Sequence, residues 1–218
     1  MANINLERRA EIGREKRART KAQLIAAANA LYSTRPWESV TVDEVVSEAG
    51  VAKGTFYTHF NDLNELAAAV ADELVKSVDE LIQPYRLSLP DPLLRIAFGC
   101  DAFFQKSLDD RLWASLAARM ARSYPTVGKV ARKRFSEDLS EALKQSSQAG
   151  LSLQLALEVS IGIVVQVMAA IGEGRLKDGD RTEAVRCILT AVGVRGRDAA
   201  SICARLSDIR RANSARHP

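Results

Sequence analysis

An all-α fold is what this sequence predicts, and three observations carry that reading. Apolar residues recur at i, i+3/i+4 and i+7 through nearly every segment, which places them on one face of a helix. Helix-start signals stand along the chain at Thr41 with Glu44, Asp62 with Glu65, and Asp91 followed by Pro92. No alternating segment has a partner of matching alternation with which to build a hairpin. With 218 residues, 47% of them hydrophobic and 27% charged, there is material for a large core and for more than one domain.

The elements follow in order. Leu24, Ile25, Ala28 and Leu31 form the stripe of a first helix over 20–32. Residues 35–40 break it, because Pro36 has no amide donor and restricts its predecessor. Thr41 caps a short helix carrying Val42, Val45 and Val46, which Gly50 ends by its freedom to take positive φ. A second short helix covers 52–59. Asp62 then opens a long helix with Leu63, Leu66, Val70, Leu74, Val78 and Leu81 on one face, and Pro84 is expected to stop it. Asp91-Pro92 starts the next helix, with Leu93, Ile96, Ala97, Cys100, Phe103 and Phe104. Further helices are expected over 111–123 and from Pro125, the latter with Val127, Ala131, Phe135, Leu139 and Ala142 in a stripe, and Gly150 as punctuation. A last pair covers about 152–173 and 180–194, and a polar tail helix reaches 212. Leu151 to Ile163 alternates like a strand, but so long a strand is unusual. Its Gln, Glu and Ala content suits a buried helix better.

Composition narrows the function. The three cysteines are scattered without C-x-x-C spacing and read as reduced, cytoplasmic residues. With only His59 and His217 as histidines, a His-rich metal site or a His-based triad has little raw material. The charged N-terminus has no apolar run behind it, so no signal peptide is expected. The longest apolar stretch, Ile161 to Ile171, falls short of the roughly 20 residues a membrane span needs, so no membrane partner is expected. No Gly-rich phosphate loop or activated nucleophile is visible, and neither an enzyme nor a cofactor or metal site is expected. The net charge of +4 is unevenly spread: residues 8–21 hold seven bases against Glu11 and Glu15. Two further basic runs, 119–134 and the tail from Arg195, read equally well as solvated faces.

One contiguous segment carries chemistry. From Val40 to Phe60, two short helices meet at a glycine turn behind a longer amphipathic helix, the geometry of a helix-turn-helix whose second helix enters the major groove. So short a second helix is marginal alone. Val45, Ala49, Val51, Phe56 and Phe60 are spaced to hold it by packing. Lys53, Thr55, Tyr57, Thr58 and His59 are then left crowded on its polar side.

The run Thr41-Val-x-x-Val45, then Ala49-Gly50-Val51-Ala52-Lys53-Gly54-Thr55-Phe56-Tyr57-x-His59-Phe60 with Asp62 and Leu66, resembles the signature of the tetracycline-repressor (TetR) family. The resemblance covers about residues 20–66. It implies an N-terminal three-helix helix-turn-helix DNA-binding domain, drawn at residues 1–65, followed by a helical ligand-binding and dimerisation domain at 66–218. Thr41, Ala52, Lys53, Gly54, Thr55, Tyr57, Thr58 and His59 are its DNA-facing candidates. Lys53 would reach guanine O6 or N7, and Thr55 and Thr58 base edges. Gly54 would let DNA approach closely. Thr41 caps its helix and could donate to phosphate. Tyr57 would clamp phosphate or pack, and His59 would clamp phosphate or finish the helix. Where the family pattern carries a phosphate-contacting lysine, this chain has Leu63.

For the rest, the resemblance implies a homodimer bundled through the last two long helices, with Ile161, Val164, Val165, Met168, Ile188 and Val192 as seam candidates or as core. Phe103, Phe104, Trp113, Met120 and Tyr124 are candidates for an effector cavity or for plain core, and Arg119 and Arg122 for its charged edge or a solvated face. The expected function is a cytoplasmic regulator, a repressor that binds a palindromic double-stranded operator and is released by a small-molecule effector. The alternative is a similar DNA binder controlled by a protein partner or acting structurally, without an inducer.

Overall fold

The computed structural model describes residues 2–124, 126–145 and 151–214, and among them every regular element is a helix. The helix start expected at Pro125 and the break expected at Gly150 lie outside the described residues. Contacts group the chain into two units, 1–70 and 71–218, so the division falls a little beyond the expected 65/66.

In the first unit, α1 (Ala2–Tyr32) begins far upstream of the expected residue 20. Residues 8–19 are mostly Arg, Glu, Lys and Ala, strong helix formers, and all are exposed. Among the described side chains of α1, those buried lie in its last turns: Leu24, Ala27, Ala28 and Tyr32. A one-turn 3-10 helix at Trp37–Ser39 leads to α2 (Val42–Ala49). Its capping box is complete: Thr41 Oγ1 accepts from the Glu44 amide at 3.3 Å, and the Glu44 carboxylate accepts from the Thr41 amide at 2.9 Å. Gly50 ends α2 at φ 66°, a conformation that favours glycine. The following α3 (Lys53–Tyr57) is shorter than the expected 52–59, with Ala52 as its N-cap. Next, α4 (Leu63–Leu87) opens on Asp62, whose carboxylate accepts from the Glu65 amide at 2.8 Å.

Pro84 does not stop α4, which continues to Leu87. A proline this near the end removes one donor and leaves few later turns to disturb. The expected buried face holds through Leu66, Val70 and Val78 and departs from the expectation at its end. Val75, Val78 and Ile82 are buried while Leu81 is 72% exposed, because a 3.6-residue turn carries the stripe from 78 to 82.

The second unit adds α5 (Pro92–Asp109), α6 (Arg111–Ser123), α7 (Lys129–Gln145), α8 (Leu153–Gly172), α9 (Arg181–Ala191) and α10 (Gly196–Ser214). Asp91, Asp110 and Ser152 cap α5, α6 and α8 through their side-chain oxygens. At the centre, α8 packs against α5, α6, α7 and α9. At Gly172 α8 comes close to α6: a Cβ there would lie 2.5 Å from Ser115 Oγ and 3.0 Å from its amide nitrogen. At 20 residues and a mean hydropathy of 2.0, α8 is long and apolar enough to cross a membrane, contrary to the reading of its apolar run as too short. Part of it is buried by packing within the unit, while Leu153, Leu155 and Val159 stay exposed.

A buried charge cluster ties α5, α9 and α10 together. The Asp101 carboxylate accepts from Arg181 Nε at 3.0 Å and Nη2 at 2.8 Å, and from both Nε and Nη2 of Arg210. Removing one partner from such a cluster strands the others away from water. Asp101→Ala is therefore expected to cost about 3–5 kcal/mol of unfolding free energy in denaturant titration. A loss below about 1 kcal/mol would show that the cluster is solvated.

Candidate functional site

The short α3 owes its place to one ring. Phe56 is wholly buried, stands 5.9 Å from Phe60, and shares the first unit's core with Leu24, Val45 and Leu66. With Phe56 turned inward, Ala52, Lys53, Gly54, Tyr57 and Thr58 are exposed, and Thr55 and His59 are half-buried. The seven expected DNA-facing residues of this segment thus share α3 and its ends, and Thr41 lies exposed at the start of α2.

Their chemistry differs in detail from the expectation. Lys53 Nζ pairs with Asp43 at 2.8 Å, which raises its pKa and keeps it a cation. Thr41 spends its hydroxyl proton on the Glu44 carboxylate at 2.8 Å, so its role here is the cap. Arg35, paired at 2.6 Å, and Thr41 together pull the Glu44 pKa down to about 2, so the box stays ionised. Thr58 Oγ1 donates back to the Thr55 carbonyl at 2.7 Å. Tyr57 is 55% exposed, which favours a contact outside the protein over packing. A Cβ at Gly54 would meet nothing within 4 Å, so the protein itself does not require glycine there. Burial, then the nearby charges of Arg17 and Lys21, lower the His59 pKa from its ordinary 6.5.

Two members of the basic α1 segment reach this surface. Arg17 Nη2 donates to the Thr58 carbonyl at 3.1 Å, and Lys21 Nζ lies 5.3 Å from the centre of the Phe60 ring. They bring positive charge to the far end of α3.

The second unit contains a cavity of about 470 Å³. Its apolar wall includes Val75, Ile82, Ile96, Phe103, Phe135, Val164 and Met168. Of the five residues expected to line an effector site, only Phe103 does so. Phe104, Trp113 and Met120 are buried as packing, Trp113 stacked behind Phe103 with ring centres 6.3 Å apart, and Tyr124 is half-buried away from the lining. Arg119 and Arg122 are exposed and do not line the cavity. The seam candidates are displaced too. Ile161, Val164, Val165 and Met168 line the cavity, and Ile188 and Val192 are buried within their own unit. Gln154, Glu158 and Gln166 fall on one exposed side of α8, a sparse signal that the choice of seam residues did not use.

Sequence reasoning missed the polar part of the lining. Asp79 pairs with Arg134, Asp138 with both Arg86 and Arg95 (2.8 Å to Arg95 Nε), and Glu158 with Arg132. Burial pushes the Asp79 pKa up, opposed by Arg134 and Arg86. The available signal was a charge on an apolar stripe, since Asp79 and Arg86 continue the face of Val75, Val78 and Ile82. Cys100 also lines the cavity, but burial, helped by Asp101, raises its thiol to about 12, so it stays protonated and unreactive at neutral pH.

Comparison with known proteins agrees with this arrangement. Residues 24–70 match the family model of bacterial regulatory proteins, tetR family. An HTH-type transcriptional regulator of Haemophilus influenzae is 26% identical over 160 residues, covering 72% of this chain and 77% of that protein. The HTH-type transcriptional activator FasR of Mycolicibacterium smegmatis is 29% identical over 151 residues, 66% of this chain and 67% of that one. Residues 24–70 thus carry the DNA-binding region of the tetR family, and the chain as a whole is similar to HTH-type transcriptional regulators. Among solved structures, RolR in complex with resorcinol superposes on this chain with a TM-score of 0.76 at 28% identity, covering 88% of this chain and 96% of RolR. FadR of Bacillus subtilis, solved with stearoyl-CoA, shares the fold at a TM-score of 0.62 and 16% identity, over 78% of this chain and 98% of FadR.

Lys53 is the exposed cation at the leading end of α3, so Lys53→Ala is expected to weaken operator binding by about 1–3 kcal/mol and to relax preference at one base position per half-site. Mobility shifts with a panel of operator variants measure both. Unchanged affinity and preference would remove Lys53 from the reading surface.

Proposed function

We propose that this regulator is a cytoplasmic repressor that binds a palindromic operator as a homodimer and lets go when a small molecule fills the cavity of the second unit. The cavity is the observation that carries this reading. Its volume of about 470 Å³ lies within the usual range for small-molecule sites, and its mostly apolar wall with a few convergent polar groups fits their general build. RolR, which has been solved with resorcinol, supports the same assignment. Control by a protein partner alone would need no such space.

A route for coupling exists in the covalent chain. Val75, Asp79, Ile82 and Arg86 all line the cavity from α4, and the same helix starts at Leu63, inside the DNA-binding unit. Two recognition helices must sit about 34–36 Å apart to meet successive major grooves. A ligand that favours another setting of α4 would disfavour that spacing.

For this reading, a compound that binds the cavity should raise the operator Kd by about 5–150-fold. Binding is read from Trp113 fluorescence in a Trp37→Phe background, and operator affinity from fluorescence anisotropy on a selected duplex. Cavity binders that leave operator affinity unchanged would instead favour the partner-controlled alternative.

The dimer seam is reassigned to the outward side of α8. Leu155 and Val159 are 54% and 39% exposed, and Gly162 beside them leaves room for a close helix approach. The protein is expected to have twice the chain mass in light scattering, and Leu155→Glu with Val159→Glu to split it, since each carboxylate is buried twice at a two-fold seam. A monomeric unmodified protein would defeat the homodimer, and a variant that stays dimeric would defeat the seam.

A further inference from the structure

We infer that the cavity takes an electrically neutral ligand, an apolar body bearing a hydroxyl or similar uncharged hydrogen-bonding head that docks against the Arg134–Asp79 and Arg86–Asp138 pairs. The inference rests on the effector reading above and adds the ligand's chemistry to it.

Charge balance is the first argument. Four guanidiniums line the cavity, and each already touches a carboxylate, with Glu141 sharing Arg95. Counted with Glu141, guanidiniums and carboxylates are equal in number. Asp79 and Asp138 are nearly inaccessible to water, with side chains 5% and 8% exposed. A carboxylate or phosphate entering here would meet no unneutralised cation, and taking one of these arginines would strand a buried aspartate. An ammonium would strand an arginine in the same way. Either event leaves an unpaired charge away from water, which is costly.

Hydrogen-bonding capacity is the second. A guanidinium offers five N–H donors and a carboxylate about four acceptor positions, so the pairs retain free sites after binding each other. A neutral hydroxyl can donate to Asp79 and accept from an arginine without separating any pair. The remaining wall, with Phe103, Phe135, Val164 and Met168, suits an apolar body. By contrast, the Arg132–Glu158 pair lies toward solvent, its side chains 35% and 51% exposed, and constrains the ligand less.

A series with one body and four heads tests this: 2-naphthol, 2-naphthoate, 2-naphthylmethylammonium and 2-methylnaphthalene, titrated by calorimetry into the full-length protein. The naphthol should bind about tenfold or more tighter than either ion and tighter than the methyl compound. Asp79→Asn removes one negative charge and leaves Arg134 unneutralised, so preference should move about tenfold or more toward the naphthoate. Glu158→Gln, at the solvated end with its side chain 51% exposed, should shift preference the same way by a smaller factor. An ion binding as well as the naphthol in the unmodified protein overturns the inference, as does binding of none of the four, or a preference unmoved in both variants. Operator affinity measured alongside separates the two readings. Naphthol-selective binding that leaves the operator bound defeats the effector reading alone, and operator release by the naphthoate alone defeats only the neutral ligand.

Discussion

A helix of five residues cannot sustain itself in water, because its nucleation cost exceeds what so few backbone bonds return. The surface proposed to read DNA therefore exists only while Phe56 stays seated in the core of the first unit. That single burial fixes the phase of α3 and turns Lys53, Gly54, Tyr57 and Thr58 outward. The capped start of α2 and the left-handed Gly50 matter for the same reason, as they set where α3 begins. Nothing on α3 need be strongly helix-forming, which leaves its exposed positions free to be chosen for what they contact.

The second unit is governed by a different constraint. Its cavity carries buried guanidinium–carboxylate pairs, which as a rule add little stability over apolar residues of similar volume. Their worth lies in giving an otherwise greasy space a polar, charge-balanced region. Asp101 with Arg181 and Arg210 has another part, holding α10 to α5 and α9 away from the cavity lining. Because α4 contributes Asp79 and Arg86 to the lining and also begins in the DNA-binding unit, occupancy of the cavity and the setting of the head share one helix.

Legibility in the sequence followed how local each signal was. The helix-turn-helix could be read because its caps, glycine turn and core spacing lie within some twenty consecutive residues. The caps at Asp91, Asp110 and Ser152 and the helical state of α8 depend on neighbours in the chain, and the starts of α5, α6 and α8 were expected close to where they lie. What failed was long-range. Asp79 meets a partner 55 positions away, and Arg86 one 52 positions away, which no window of sequence contains. Trp113 and Met120 lie on the middle helices, where cavity lining and plain core read alike in sequence, and the structure buries both as core. On α8 only Gln154, Glu158 and Gln166 mark the solvent side, and the apolar residues interleaved with them obscured that face. On α4 the stripe was traced to Leu81 rather than Ile82, a slip of one position that turns a buried residue into an exposed one.

The central claim is that one protein has two conformational settings, one preferred by operator DNA and the other by the cavity's ligand. Such coupling is reciprocal by thermodynamic necessity. The most direct measurement is the ligand's Kd for the free protein and for the protein saturated with operator, set beside the operator's Kd with and without saturating ligand. The account predicts that both affinities fall, by the same factor. Ligand affinity unaffected by the operator would contradict it, whatever the ligand does to transcription.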